Sequence, residues 1–147
     1  MGIVLNEGLS QISLIFIYAA MAVYTAAFLT FASHLSRLAS DKKKVRTSAT
    51  KLERVGIIVM GFAALLHGVG VVLRGIAASR VPWANMYEFS ITGSFVIMMI
   101  FLMALAIKDI RLIATFVNGF VLLVLGAATS VFYVEVKSLM PALQSYW

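Results

Sequence analysis

Four long apolar runs, set apart by clusters of charge, constrain this chain more than any other feature. They cover about 9–35, 55–73, 89–107 and 112–134 of the 147 residues. A helix needs about 20 apolar residues to cross a hydrocarbon core of ~30 Å, and each run meets that length. The alternation of barrel strands is missing. Ile97-Met98-Met99-Ile100-Phe101-Leu102-Met103, for example, is apolar on every face. Hydrophobic residues make up 62% of the chain and charged residues 12%. A soluble domain carries roughly 45–50% and about 25%, and a core of this size could not hide the excess. Soluble globular and disordered classes are thereby excluded. A disulfide scaffold is excluded as well, because there is no cysteine. The expectation is an all-α polytopic membrane protein, one domain over 1–147 with four transmembrane helices. The first run is longer than a signal peptide, carries Glu7 in place of lysines at its front and has no cleavage site, so it reads as a retained helix.

Charge gives the direction of the spans. The loop 36–54 holds Arg37, Lys42, Lys43, Lys44, Arg46, Lys51 and Arg54, and the short loop before the fourth span holds Lys108 and Arg111. The opposite side has Arg74, Arg80 and Lys137, so the twelve basic residues divide nine against three. The positive-inside bias then makes the basic loops cytoplasmic and puts both termini and the segment 74–88 outside. The net charge of +6 points to anionic lipid headgroups, worth about 1 kcal/mol per basic residue near the surface. Nucleic-acid binding is not expected, since no aromatic interleaving or recognition module accompanies the charge.

Several residues are expensive where they stand. His67 lies ~18 Å along its span from Val55, inside the hydrocarbon zone, and a polar ring there needs a partner. It is either a proton or cofactor ligand or a histidine bonded to a neighbouring helix through Tyr18, Tyr24, Asn118 or Ser130. Arg74 follows two helical turns later on nearly the same face. It can pair with Glu88, hold a ligand carboxylate or snorkel to the headgroups. Gly61, Gly68 and Gly75 form a stripe that admits another helix or a flat ligand. Pro82 ends the second span near Ser79. Asn85 is placed to cap the third, and Trp83, Tyr87 and Phe89 are expected at the membrane interface. His34 reads as a solvated interfacial residue. The eight methionines have no metal-site spacing. No P-loop, HExxH or nucleophile–base pair occurs. Glu7, Glu88 and Glu135 are the carboxylates expected on the outer side.

The pattern His67-x6-Arg74, followed by Ser79, Pro82, Asn85, Tyr87 and Glu88 in the string RGIAASRVPWANMYEFS, resembles the haem-handling membrane proteins of system II cytochrome c biogenesis. This is the CcsA/ResC family, whose actinobacterial members are labelled CcsB. The ending Met140-Pro141-Ala142-Leu143-Gln144-Ser145-Tyr146-Trp147 is similar to a stretch of the same proteins. The resemblance implies a multi-pass plasma-membrane protein that presents haem b at the outer face for covalent attachment to apocytochrome c. Its implied partners are a ResB-type membrane protein, the apocytochrome and a thioredoxin-like thiol reductant. His67, Arg74, Trp83, Asn85, Tyr87 and Glu88 match family positions. The role this implies is a wall near the haem: Trp83 and Tyr87 stacking, Arg74 on a propionate, and His67 as a transit or axial ligand. The resemblance covers the N-terminal part of such a protein. The tryptophan-rich WWD segment and the histidines usually assigned to haem lie beyond the position of Trp147, so this chain is expected to supply part of the attachment reaction.

Two other readings fit the composition. One is a cofactor-free structural bundle that scaffolds partners. The other is a small transporter fragment with His67 and Arg74 along a path, which the absence of evident broken helices disfavours.

Overall fold

A computed structural model describes residues 2–40 and 51–134. Four α-helices follow in order: α1 (Gly2–Ser40), α2 (Lys51–Ala78), α3 (Met86–Ile107) and α4 (Ala114–Ser130), the last entered through a 3-10 turn at Arg111–Ile113. The described residues contain no strand. Each helix, with that turn counted into the fourth, is long and apolar enough to cross a membrane. Large side chains on the outer faces are open, among them Ile58, Leu65, Phe116 and Leu123. Apolar surface on that scale is tolerated against lipid, not against water.

The helices run up and down around a shared core. α1 pairs along most of its length with α2, α3 pairs with α4, and α4 returns to α1; the α2–α3 seam is the sparsest of the four. The buried face of α1 is Ser10, Ser13, Ile17, Ala20, Tyr24, Ala27, Phe31 and His34. On α2 it includes Glu53, Gly56, Met60, Ala63, His67, Gly70, Arg74 and Ala77. Both sets step by three and four residues in turn, the heptad seam of helices crossing at about 20°. Small residues on that seam let the backbones close up. A Cβ added at Gly70 would stand 2.7 Å from Ile17 and 3.3 Å from the Ser13 carbonyl oxygen. Ser13 Oγ donates to the Gly70 carbonyl at 2.6 Å. The glycines that admit α1 are therefore Gly56 and Gly70. Gly61 faces open space and Gly68 accommodates the Phe95 ring of α3.

Helix ends differ from the apolar runs. α2 continues to Ala78, so Arg74 is a helical residue, and the connection to α3 contracts to residues 79–85. α4 stops at Ser130, before the end of its apolar run. Lys51 and Arg54 belong to α2, not to a loop. Lys42, Lys43, Lys44, Arg46, Glu135, Lys137 and the Met140–Trp147 string lie outside the described residues.

At the end where α1 meets α2, His34 departs from expectation. It is buried, with Nδ1 3.6 Å from Glu53 Oε1. Arg111 reaches the other Glu53 oxygen at 3.7 Å and Asp109 at 2.6 Å. The heptad seam, invisible at any single residue, turns His34 inward. One buried carboxylate thus ties α1, α2 and the start of α4.

Candidate functional site

The opposite end of the bundle, where α2 turns into α3, gathers most of the singled-out residues. The turn is built locally. Ser79 has a positive φ of 52°. Arg80 N–H donates to the Gly75 carbonyl and Ser79 N–H to the Ile76 carbonyl. This is the Schellman termination, made here with serine in the left-handed position that glycine usually occupies. The chain then folds back over α2, bringing Arg80 O and Pro82 Cδ each within 3.3 Å of where a Gly75 Cβ would be. That contact explains Gly75. Asn85 caps α3 as expected, its side-chain oxygen accepting from Glu88 N–H at 2.8 Å. Glu88 returns the bond one residue earlier, Oε2 accepting from Ala84 N–H at 3.1 Å, in a variant of the capping box. Thr92 Oγ1 donates to the Pro82 carbonyl at 2.7 Å and pins the middle of the turn to α3.

Glu88 is fully buried and receives two guanidiniums. Arg74 Nε donates to Oε1 at 3.3 Å, and Arg80 Nη2 lies 3.4 Å from both oxygens. Arg74 is also fully buried. Its Nη1 donates to Ser10 Oγ of α1 at 2.9 Å and its Nη2 to the Val134 carbonyl, beyond α4, at 2.6 Å. Its guanidinium carbon sits 4.9 Å from the Tyr87 ring centre and 6.0 Å from that of Tyr133. Of the alternatives open for Arg74, the structure selects the pair with Glu88, and it adds anchors on α1 and on the segment that follows α4. Tyr87 is not at the interface: it is buried beneath Arg74, edge-on to Tyr133 at 5.2 Å. Trp83 and Phe89 do face outward, Trp83 at 66% exposure.

His67 lies two turns deeper and belongs to a separate, neutral layer. Nε2 is 2.9 Å from the Ile91 carbonyl of α3 and therefore carries the proton. In the neutral ring Nδ1 is then an acceptor, and Tyr24 Oη of α1 donates to it at 3.4 Å. Asn118 of α4 donates Nδ2 to the Tyr24 carbonyl at 2.9 Å. This chain of contacts joins all four helices. Tyr24, one of the partners foreseen for His67, is the one found. Tyr18 is exposed. The Phe95 ring closes the remaining side of His67 at 5.4 Å.

These placements test the residues against haem. An axial ligand needs an open lone pair, and both His67 ring nitrogens are engaged. A propionate needs an accessible guanidinium, and Arg74 has a protein partner on each nitrogen and no exposed surface. Tyr87 presents no free face, Asn85 is spent on a cap, and Glu88 is held between two arginines. As placed, these side chains do not fit direct contact with haem; of the six, Trp83 is the exposed one and Asn85 is partly open. Among the described residues, no three His, Asp or Glu side chains converge as a metal site. No family model, curated protein or solved structure matches this chain.

Proposed function

We propose that this chain is a membrane component of system II cytochrome c maturation, acting at the outer face of the plasma membrane in the assembly that attaches haem b to apocytochrome c. Haem b is substrate of that assembly, and the partners are a ResB-type membrane protein, apocytochrome c and a thioredoxin-like reductant. The string Arg74–Ser90 supports the reading by resemblance. The nine-to-three division of basic residues supports extracytoplasmic termini and an outward corner. The observation that carries it is that the residues of the resemblance build one interlocked corner. Arg74, Ser79, Pro82, Asn85, Tyr87 and Glu88 hold the turn rigidly and leave Trp83 displayed at its tip.

In this reading Arg74, Tyr87, Asn85 and Glu88 are positioning residues. Their work is to fix the corner against which a partner or the substrate docks, while His67 locks the bundle below. The test is covalent haem staining of c-type cytochromes in cells that depend on this protein. Loss of the gene is expected to abolish the stain, and Trp83→Ala to reduce it several-fold at unchanged membrane level of the protein. Normal staining in the deletion strain removes the proposal. It would favour the second reading, a cofactor-free scaffold, for which the fully engaged His67 is the supporting observation.

A further inference from the structure

The α2–α3 seam is open where the α1–α2 seam is closed. Between the two helices runs an apolar groove of about 530 Å³, lined by residues that include Gly61, Leu65, Val69, Leu73, Phe95 and Met99. Its size is that of a small-molecule site, typically ~300–1,000 Å³. Gly61 to Leu73 is ~18 Å of helix, close to the depth of one leaflet of a core ~30 Å thick. The connection 79–85 crosses from α2 to α3 at the outer end of this seam, with Arg80 O and Pro82 seated on Gly75 above Leu73.

Charge marks the same end. Arg74 and Arg80 share the carboxylate of Glu88, at 3.3 and 3.4 Å. Arg80 meets Glu88 at 3.4 Å through Nη2, keeps part of its side chain exposed and has a buried Nε without a partner. Glu7, the other described carboxylate at this end, stands exposed on α1. A partly exposed guanidinium, an exposed tryptophan three residues further on and an apolar channel about one leaflet deep along the same seam form a headgroup-and-tail arrangement. The donors of arginine match a phosphate oxygen pair.

We infer that the α2–α3 seam binds an anionic phospholipid, its phosphate held by Arg80 and one acyl chain laid in the groove from Leu73 toward Gly61. Charge complementarity selects the headgroup and the length of the channel selects the tail. The site is independent of the proposed role in cytochrome c maturation.

The experiment is native mass spectrometry of the purified full chain released from nanodiscs containing equal parts phosphatidylglycerol and phosphatidylcholine of matched acyl chains. The protein is expected to retain phosphatidylglycerol about fivefold over phosphatidylcholine, the preference that one basic group near a lipid surface supports. Arg80→Gln should erase that preference and Arg80→Lys should keep part of it. Gly61→Leu should lower retention of both lipids; a Cβ at Gly61 meets nothing within 4 Å, so the new side chain starts in open space on the groove wall. Should Arg80→Gln fail to fold, the Gly61→Leu result decides. Equal retention of the two lipids, an unchanged preference in folded Arg80→Gln, or undiminished retention in Gly61→Leu would overturn the inference. So would recovery of a lipid-free dimer, which would give the groove to a second copy of the chain.

Discussion

Arg74 and His67 stand seven residues apart on the same buried face of α2, and neither has exposed surface. They hold the bundle by different means. The neutral imidazole is satisfied by one carbonyl and one hydroxyl. The charged guanidinium collects a carboxylate, a hydroxyl, a carbonyl and an aromatic face, and its carboxylate is further held by a second arginine and a backbone N–H. Equal burial does not mean equal demand. A charge removed from water needs an opposite charge and full hydrogen bonding, whereas a neutral polar group needs only its bonds. The corner is accordingly the more intolerant of the two layers, and the comparison can be broken experimentally.

Removing the carboxylate tests it hardest. Glu88→Ala leaves two buried or half-buried guanidiniums without a counter-charge and is expected to cost about 3–5 kcal/mol, read from chemical unfolding in detergent or bicelles. The double variant Arg74→Met/Glu88→Met should recover most of that loss. A double variant as unstable as Glu88→Ala would show that packing, not unpaired charge, sets the cost.

The neutral layer should respond less. His67→Phe strands the Tyr24 hydroxyl and forfeits the bond to Ile91, for an expected ~1–3 kcal/mol by the same measurement. A loss equal to that of Glu88→Ala would erase the distinction between the layers. Asn85→Ala removes the α3 cap and should cost ~1 kcal/mol, with faster amide exchange confined to the first turn of α3. Ser79→Gly relieves a left-handed serine and is expected to raise stability by about 0.5–1 kcal/mol. A destabilised Ser79→Gly would show that the serine side chain has a role beyond its backbone angle. Smallest is Tyr24→Phe, which deletes one long hydrogen bond at the centre of the bundle; interhelical bonds of this kind average ~0.6 kcal/mol in membranes.

Much of this was legible in order of residues, though not evenly. The spans followed from apolar length, and the Asn85 cap followed from side-chain chemistry at a helix start, both local properties. The Arg74–Glu88 pair was one of several options, because a guanidinium two turns above His67 can reach headgroup, ligand or carboxylate. Which it reaches depends on where α3 stands. His34 shows the opposite failure. Its position beside Ser33 and Arg37 suggested solvent, yet the alternation of three and four that runs from Ser10 through Ser13, Ile17, Ala20, Tyr24, Ala27 and Phe31 ends on it. That seven-residue recurrence was the available signal, and it also places Glu53, His67 and Arg74 on one seam of α2. The glycine stripe was legible, but which helix it faces was not: Gly68 receives the Phe95 ring of α3. Gly61 and Gly68 are the more regular set with Gly75, but Gly56 and Gly70 share the seam phase and they receive α1.

Sequence alone determined that the described chain is helical and that four of its segments can cross a membrane, and it located the helix ends to within about two turns. These follow from the cost of unpaired backbone in lipid and from local capping, which depend on neighbours along the chain. The tertiary structure decided which polar groups meet. Ser10, Arg74, Glu88 and Val134 become one cluster, and Asn118, Tyr24, His67 and Ile91 another, only when four helices are packed in a particular order and register. In an apolar surrounding, water cannot complete these groups. The partner brought by a distant helix therefore sets whether an imidazole or a guanidinium stays open for a ligand or becomes part of the frame.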